Sequence, residues 1–321
     1  MTPISPVAPS AHTARFIVVI AAFLGAASAV QAQQTDADRC AALSGQPDLA
    51  IKHCTSAIQS GKVQGEELAK LHYNRGIEWA AKGEHARAIA DYDAAIRIDP
   101  KFAEAYFNRG HAWAHRGDPD RAIADYGASI RLNPKDPAAL ASRAAEWLLK
   151  GEHARAAEDF DAALRLDPKN GGALFGRGRA RFYAGDFAGA VSDMEPALKI
   201  EPNSYSSLWL YLARKRAGNG DADEKLDVET RADRAAGWPG PLVLFFLGRT
   251  DMASVQAAAT DRVSKVQSDQ LCEANFYLAH WHLLRDERDR ALPLLKQAQA
   301  GCPKDFLEYE GAVAELRRLQ R

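Results

Sequence analysis

A 34-residue unit occurs four times in succession between residues 69 and 204, and this repetition constrains the fold more than any other feature. Each copy ends in an acidic residue or asparagine followed by a proline; the four prolines are Pro100, Pro134, Pro168 and Pro202. A period of about 20–50 residues indicates stacked units, each of which buries its apolar face against the next. The sequence therefore predicts a repeat architecture over residues 69–204.

Every copy predicts two helices, which in the second copy run from Glu104 to Arg116 and from Pro119 to Leu132. Gly117 lies between them, where a left-handed backbone ends the first helix at no steric cost. The closing proline ends the second helix, since proline cannot continue it. Small residues such as Gly110 and Ala122 are expected to face each other, so that the paired helices approach closely.

Small, aromatic and proline residues recur at matching positions of the copies, and their spacing resembles that of the tetratricopeptide repeat (TPR). In the second copy these residues are Gly110, Trp113, Ala122, Tyr126 and Pro134. The resemblance implies an all-α solenoid of helix-turn-helix units, wound into a right-handed superhelix, and it covers residues 69–204. It is nearly silent about function, because function depends on sites and not on the fold.

The N-terminal stretch predicts export. Residues 1–32 contain no Asp, Glu or Lys, and Arg15 precedes a run of apolar residues. The small residues before Ala32 predict a secretory signal peptide cut there, with Ala29 as the second choice. The alternative is an uncleaved N-terminal anchor, although the run is short for a bilayer span of about 20 residues. Because no apolar lipobox precedes Cys40, lipid attachment is not expected, and the predicted location is the periplasm.

Export would place the four cysteines in an oxidising space, where disulfides persist. Residues 33–68 predict a degenerate helical hairpin, and Cys40 and Cys54 lie in its two helices. We expect them to be bridged; the alternative is that they are free and serve as small core residues.

The C-terminal part, residues 205–321, begins as a degenerate fifth repeat and continues as an irregular helical insert. From Cys272 the period returns, so Cys272 is expected to open the first helix of a final hairpin and Cys302 to close the second. The two ends of an antiparallel hairpin meet, which favours a second disulfide. The amphipathic segment at residues 306–321 is predicted to cap the stack.

This part also resembles the NlpI family of bacterial envelope lipoproteins. The resemblance is carried by WPGPLVLFFLGR, CEANFYLAHWHLLRDERDRALPLLKQAQAG and DFLEYEGAVAELRRL. It implies a periplasmic adaptor that docks a processing protease and cell-wall endopeptidases. The sequence departs from that family by lacking a lipobox and by carrying four cysteines.

Motifs for chemistry are absent from the sequence: there is no phosphate loop, no H-E-x-x-H, no G-x-S-x-G and no C-x-x-C. His111 and His115 lie four residues apart, as two metal ligands can, but no third ligand accompanies them. The formal net charge of −1 gives no electrostatic footprint for nucleic acid. The sequence therefore predicts no catalytic residue, no metal and no cofactor.

In TPR proteins the fifth and ninth positions of each repeat face a concave groove, and the resemblance extends this to the present chain. The predicted groove residues are Tyr73, Phe107, Ala141, Phe175 and Trp209 at the fifth position, and Ile77, His111, Ala145, Arg179 and Ala213 at the ninth. Aromatic residues and Arg carry binding energy most often, so these suit a peptide, with Arg179 pairing a carboxylate. The alternative is that some of the aromatics pack on neighbouring repeats. Trp79, Trp113 and Trp147 are expected in the core.

These observations predict a non-catalytic periplasmic scaffold or adaptor. Its expected partners are protein or peptide clients, brought to an envelope protease or a peptidoglycan hydrolase. A second hypothesis is a homodimer with a structural role in envelope assembly. A third is an enzyme whose site matches no familiar motif.

Overall fold

The computed structural model describes residues 35–43, 45–231, 237–260, 264–304 and 306–320. These residues form seventeen α-helices and no strand, so the predicted all-α class is confirmed for them. The predicted signal peptide, residues 1–32, lies outside the described residues. The chain divides into two compact units, residues 1–101 (unit 1) and residues 102–321 (unit 2).

Unit 1 contains the leading hairpin and the first repeat. Its helices are α1 (Asp36–Ala42), α2 (Pro47–Gln59), α3 (Gly65–Ala81) and α4 (His85–Ile98). Cys40 and Cys54 are bonded, which confirms the predicted bridge between α1 and α2. The turn between these helices holds Gly45 at a φ of 85°, a conformation that favours glycine. Closing a loop of this length stabilises the fold by about 3 kcal/mol in the loop-entropy model.

Unit 2 contains the other three clear repeats and the C-terminal part. The repeat helices are α5 (Ala103–His115), α6 (Pro119–Leu132), α7 (Pro137–Leu149), α8 (His153–Leu166), α9 (Gly171–Ala184) and α10 (Phe187–Ile200). The remaining helices are α11 (Ser204–Arg216), α12 (Ala222–Glu229), α13 (Gly240–Phe246), α14 (Met252–Thr260), α15 (Ser264–Leu283), α16 (Arg288–Gly301) and α17 (Leu307–Leu319). No helix within the described ranges is both long enough and apolar enough to cross a membrane.

Helix boundaries in the repeats follow the local chemistry of the sequence. At the start of α7, the Asp136 side chain accepts hydrogen bonds from the backbone of Ala138 and Ala139, and Pro137 occupies the first turn. At the end of the same helix, Gly151 adopts a φ of 75°. These signals are local, so the sequence predicted the boundaries closely.

The packing of paired helices differs in one detail from the prediction. A Cβ built on Gly110 would lie 2.8 Å from the ring of Tyr126, the side chain nearest to it. Gly110 therefore makes room for an aromatic ring on α6, and it does not simply face Ala122. Gly176 makes room in the same way for Phe160, whose ring would lie 2.3 Å from an added Cβ.

Each clear repeat also holds a buried ion pair between its two helices, which the repeat pattern did not predict. An arginine of the first helix binds, with two nitrogens, both carboxylate oxygens of an aspartate 16 residues later, at 2.6–2.9 Å. The pairs are Arg75–Asp91 in unit 1, and Arg109–Asp125, Arg143–Asp159 and Arg177–Asp193 in unit 2. Such bidentate geometry fixes the relative position of the two helices as well as contributing energy.

Two further predictions need correction. Trp113 and Trp147 are half-buried and not in the core; the guanidinium groups of Arg121 and Arg155 lie 4.4 and 4.9 Å from their ring centres. In unit 1, Trp79 is likewise half-buried, with an arginine above its ring.

Cys272 does not open a helix but lies well inside α15, because that helix begins eight residues earlier, at Ser264. Its disulfide with Cys302 is formed, as predicted. The bridge joins α15 to the C-cap of α16.

Candidate peptide-binding surface

The C-terminal helix α17 lies on part of the predicted groove of unit 2. It packs against α9, α15 and α16. Gly311 is the point of closest approach, because an added Cβ would lie 2.5 Å from Phe276 and 3.0 Å from the Tyr183 hydroxyl. The chain's own helix therefore occupies the place in which the repeat pattern predicts a ligand.

Arg179 illustrates the consequence. The sequence predicted that it pairs with the carboxylate of a bound peptide, but its side chain is 10% exposed and donates a hydrogen bond to Glu310 of α17. The prediction of Arg179 as a ligand-binding residue is therefore wrong. Burial raises the pKa of Glu310, and the charge of Arg179 opposes that rise.

Trp209 is likewise not a groove residue. It is fully buried, and its ring lies 5.3 Å from Phe276, 5.7 Å from Phe182 and 5.9 Å from Tyr183. Trp209 belongs to the largest apolar cluster of unit 2, which the irregular insert and α15 complete. The predicted alternative, in which some aromatics pack on their neighbours, holds at this position.

Buried carboxylates hold α17 in place. Glu308 accepts a hydrogen bond from the Tyr277 hydroxyl at 3.1 Å, and burial raises its pKa to about 7. Glu315 is also buried, which raises its pKa, but the neighbouring His280 and Arg216 outweigh this and hold the pKa at about 2. The helix therefore carries one acid that burial protonates readily and one that stays ionised.

The groove residues nearer the start of unit 2 stay accessible. Phe107 and His111 are half-buried and Ala145 is exposed. The Phe107 and His111 rings lie 4.5 Å apart, edge to face, and both contact Tyr126, at 5.8 and 5.3 Å. The small side chains of Ala141 and Ala145 follow in the next repeat. We call this accessible part the open surface, defined by Phe107, His111, Ala141 and Ala145.

Two titratable groups adjoin the open surface. Burial raises the pKa of Glu146 to about 7, and burial together with His115 lowers the pKa of His111. His111 is therefore largely uncharged at neutral pH, whereas Glu146 is about half protonated at pH 7 and ionises as the pH rises further. The open surface thus presents aromatic and small groups with little fixed charge.

The remaining predicted groove residues lie elsewhere. Phe175 is half-buried and packs between two apolar clusters of unit 2. Tyr73 belongs to unit 1, where it is half-buried and its ring lies 5.9 Å from that of Tyr92. Among the described residues, no group of three or more His, Cys, Asp or Glu side chains is arranged to hold a metal ion.

Comparison with known proteins agrees with this architecture. Models described as TPR repeat or tetratricopeptide repeat match residues 79–115, 103–136 and 148–204. The chain therefore contains tetratricopeptide repeats, and its fold is the all-α TPR fold that the sequence predicted.

Solved structures share that fold. A tetratricopeptide repeat protein from Parabacteroides merdae is 18% identical, with a TM-score of 0.55, over 77% of this chain and 98% of that one. The C-terminal part of a TPR repeat-containing protein from Cytophaga hutchinsonii is 16% identical, with a TM-score of 0.50, over 83% and 94%. At these identities the likeness concerns the fold alone.

The covered part of the groove was the main feature that sequence reasoning missed. A signal was present: α17 carries Glu308, Glu310 and Glu315, acidic residues that are buried in the structure. Buried carboxylates require partners, and unassigned cations on the first helices were available as partners. The sequence placed α17 at the end of the stack but did not show that it reaches back to α9.

Proposed function

We propose that this protein is a non-catalytic scaffold that binds an amphipathic helix of a protein partner on its open surface. The observation that carries the proposal is the position of α17. The chain's own helix α17 already packs against α9, the first helix of the fourth repeat, so the same face of the preceding first helices is expected to accept a helix as well.

The chemistry of α17 indicates what a partner helix would present. The point at which α17 comes closest to Phe276 and Tyr183 is a glycine, Gly311, and apolar residues of α17 pack into the same cluster. The open surface presents the rings of Phe107 and His111 beside two alanines. This combination can accept bulky apolar side chains that are spaced as on a helix. The low fixed charge of this surface favours an apolar anchor over an ion pair.

The cellular role that we propose is supported by the sequence and rests on the proposed binding. The N-terminal stretch and the two disulfides support export to the periplasm. The resemblance of the C-terminal part to the NlpI family supports an adaptor that brings clients to an envelope protease or a peptidoglycan hydrolase. Such an adaptor acts by raising the effective concentration of one bound protein near another.

Site-specific photocrosslinking tests the proposal. A benzoylphenylalanine at Ala145, which is exposed on the open surface, is compared with one at Val228, which is 62% exposed on α12. In envelope extract, position 145 should give adducts that position 228 does not give. The same adducts should be lost when Phe107 is replaced by alanine.

Two results would overturn the proposal. One is an identical adduct pattern at both positions. The other is a pattern at position 145 that the Phe107→Ala substitution leaves unchanged. An adduct at position 145 whose mass equals two copies of this chain would instead assign the surface to a homodimer.

A further inference from the structure

The second helix of each repeat carries a carboxylate at one particular position, except in the second repeat. The residues at this position are Asp93, Gly127, Asp161 and Glu195. The position before the closing proline shows the same exception, with Asp99, Asn133, Asp167 and Glu201. The basic residue between the two positions is present in all four repeats. The second repeat thus lacks an acid at both positions, 127 and 133, but has the base, Arg131.

The third repeat shows what the first of these acids does. Asp161 accepts a hydrogen bond from Nη1 of Arg177 at 2.6 Å, while Nε and Nη2 of the same guanidinium bind Asp193. Arg177 is therefore shared between two carboxylates, one from its own repeat and one from the preceding repeat. All of these residues belong to unit 2.

The corresponding arginine beside the second repeat, Arg143 of the third repeat, has only one of these carboxylates. Arg143 binds Asp159 through Nε and Nη2 at 2.7 Å each, and its Nη1 faces Gly127. A Cβ on Gly127 would lie 3.5 Å from Nη1 of Arg143 and 3.7 Å from Nη1 of Arg131. Two guanidinium groups thus reach the same point, and no carboxylate of the described residues pairs with Arg131.

The local charge is inverted as a result. Arg131, Arg143 and Asp159 sum to +1, whereas Asp161, Arg165, Asp167, Arg177 and Asp193, at the matching positions one repeat later, sum to −1. The Arg143 side chain is 25% exposed and Arg131 is exposed, so an external group can reach both.

We propose that the Arg131–Arg143 pair binds a carboxylate of an acidic peptide segment in a partner protein, at the place that Asp161 takes one repeat later. The same scaffold holds a carboxylate against the equivalent guanidinium nitrogen at 2.6 Å, so the geometry is already suited to this group. Charge-assisted hydrogen bonds from arginine are short and directional, and two arginines acting together favour an anion. The site shares no residue with the open surface, so it stands whether or not a helix binds there.

Fluorescence anisotropy with a fluorescein-labelled hexaglutamate peptide at low ionic strength tests the proposal. Gly127→Asp introduces the internal acid that the third repeat has, and it should weaken peptide binding about tenfold. Gly127→Asn has nearly the same size without the charge, and it should bind like the wild type. Because an added Cβ makes only ordinary contacts here, both variants are expected to fold.

Two further variants keep the test decisive. Arg131→Gln changes an exposed side chain, so it should fold normally and weaken binding by a similar factor. The double variant Asp161→Gly with Asp167→Asn recreates the arrangement of the second repeat one repeat later, and it should add a second binding site for the peptide.

Equal affinity of the wild type, Gly127→Asp and Arg131→Gln for hexaglutamate would overturn the proposal. So would a protein that binds inorganic sulfate, measured by competition and calorimetry, but not the peptide, because that result assigns the site to a free oxyanion. Loss of binding in both Gly127→Asp and Gly127→Asn would also contradict it, since charge would then not be the cause.

Discussion

Replacing Glu310 by alanine removes one partner of the ion pair that joins α17 to the repeats. The side chains of Arg179 and Glu310 are 10% and 3% exposed, so solvent screens the pair little. Removing one partner of a buried pair costs about 3–5 kcal/mol, mostly because the other charge is left buried without a counter-ion. We therefore expect Glu310→Ala to lower the free energy of unfolding of unit 2 by about that amount. Hydrogen exchange should rise first in α17, because its contact with α9 depends on this pair.

Urea denaturation and amide hydrogen exchange over residues 307–319 measure the effect. Lys225→Ala is the matched control within unit 2, because Lys225 pairs with Asp221 at 2.9 Å but the two side chains are 41% and 49% exposed; its cost should be far smaller. The double variant Arg179→Met with Glu310→Leu removes both charges and should return near the wild-type stability. A cost of Glu310→Ala no larger than that of the control, with unchanged exchange in α17, would refute the buried pair as the anchor.

Three further predictions concern titration and packing. Burial raises the pKa of Glu308 from 4.5 in the unfolded chain to about 7, so the folded state holds the proton more tightly. The free energy of unfolding should therefore fall as the pH rises from about 4.5 to 7, and it should level off above pH 7. Urea titrations of Glu308→Gln should lack this part of the pH dependence. Gly110→Ala should lower the thermal midpoint, with a cost of about 1–3 kcal/mol, because its Cβ would meet the Tyr126 ring at 2.8 Å. Gly127→Ala should raise the midpoint, with a gain of about 1 kcal/mol from helix propensity, since its nearest contact lies at 3.5 Å; a loss of stability at Gly127 equal to that at Gly110 would contradict the packing argument.

The features that the sequence predicted correctly are those set by short-range chemistry. The 34-residue period, the glycines between helices and the closing prolines identify the helical hairpins. The same frame correctly paired Cys40 with Cys54 and Cys272 with Cys302, because in each case a single hairpin brings the two cysteines together. Phe107 and His111 lie on one face for the same reason, since residues four apart on a helix are neighbours.

The features that it missed depend on contacts between distant parts of the chain. The position in the repeat indicated that Arg179 and Trp209 face the groove, but a periodic pattern shows only which face a residue lies on, not what covers that face. Arg179 meets Glu310, which is 131 residues away, and only the folded chain brings them together. The absence of acids at positions 127 and 133 can be seen when the repeats are aligned. That both guanidinium groups converge on Gly127 is a distance between neighbouring repeats, and the packing of the helices decides it.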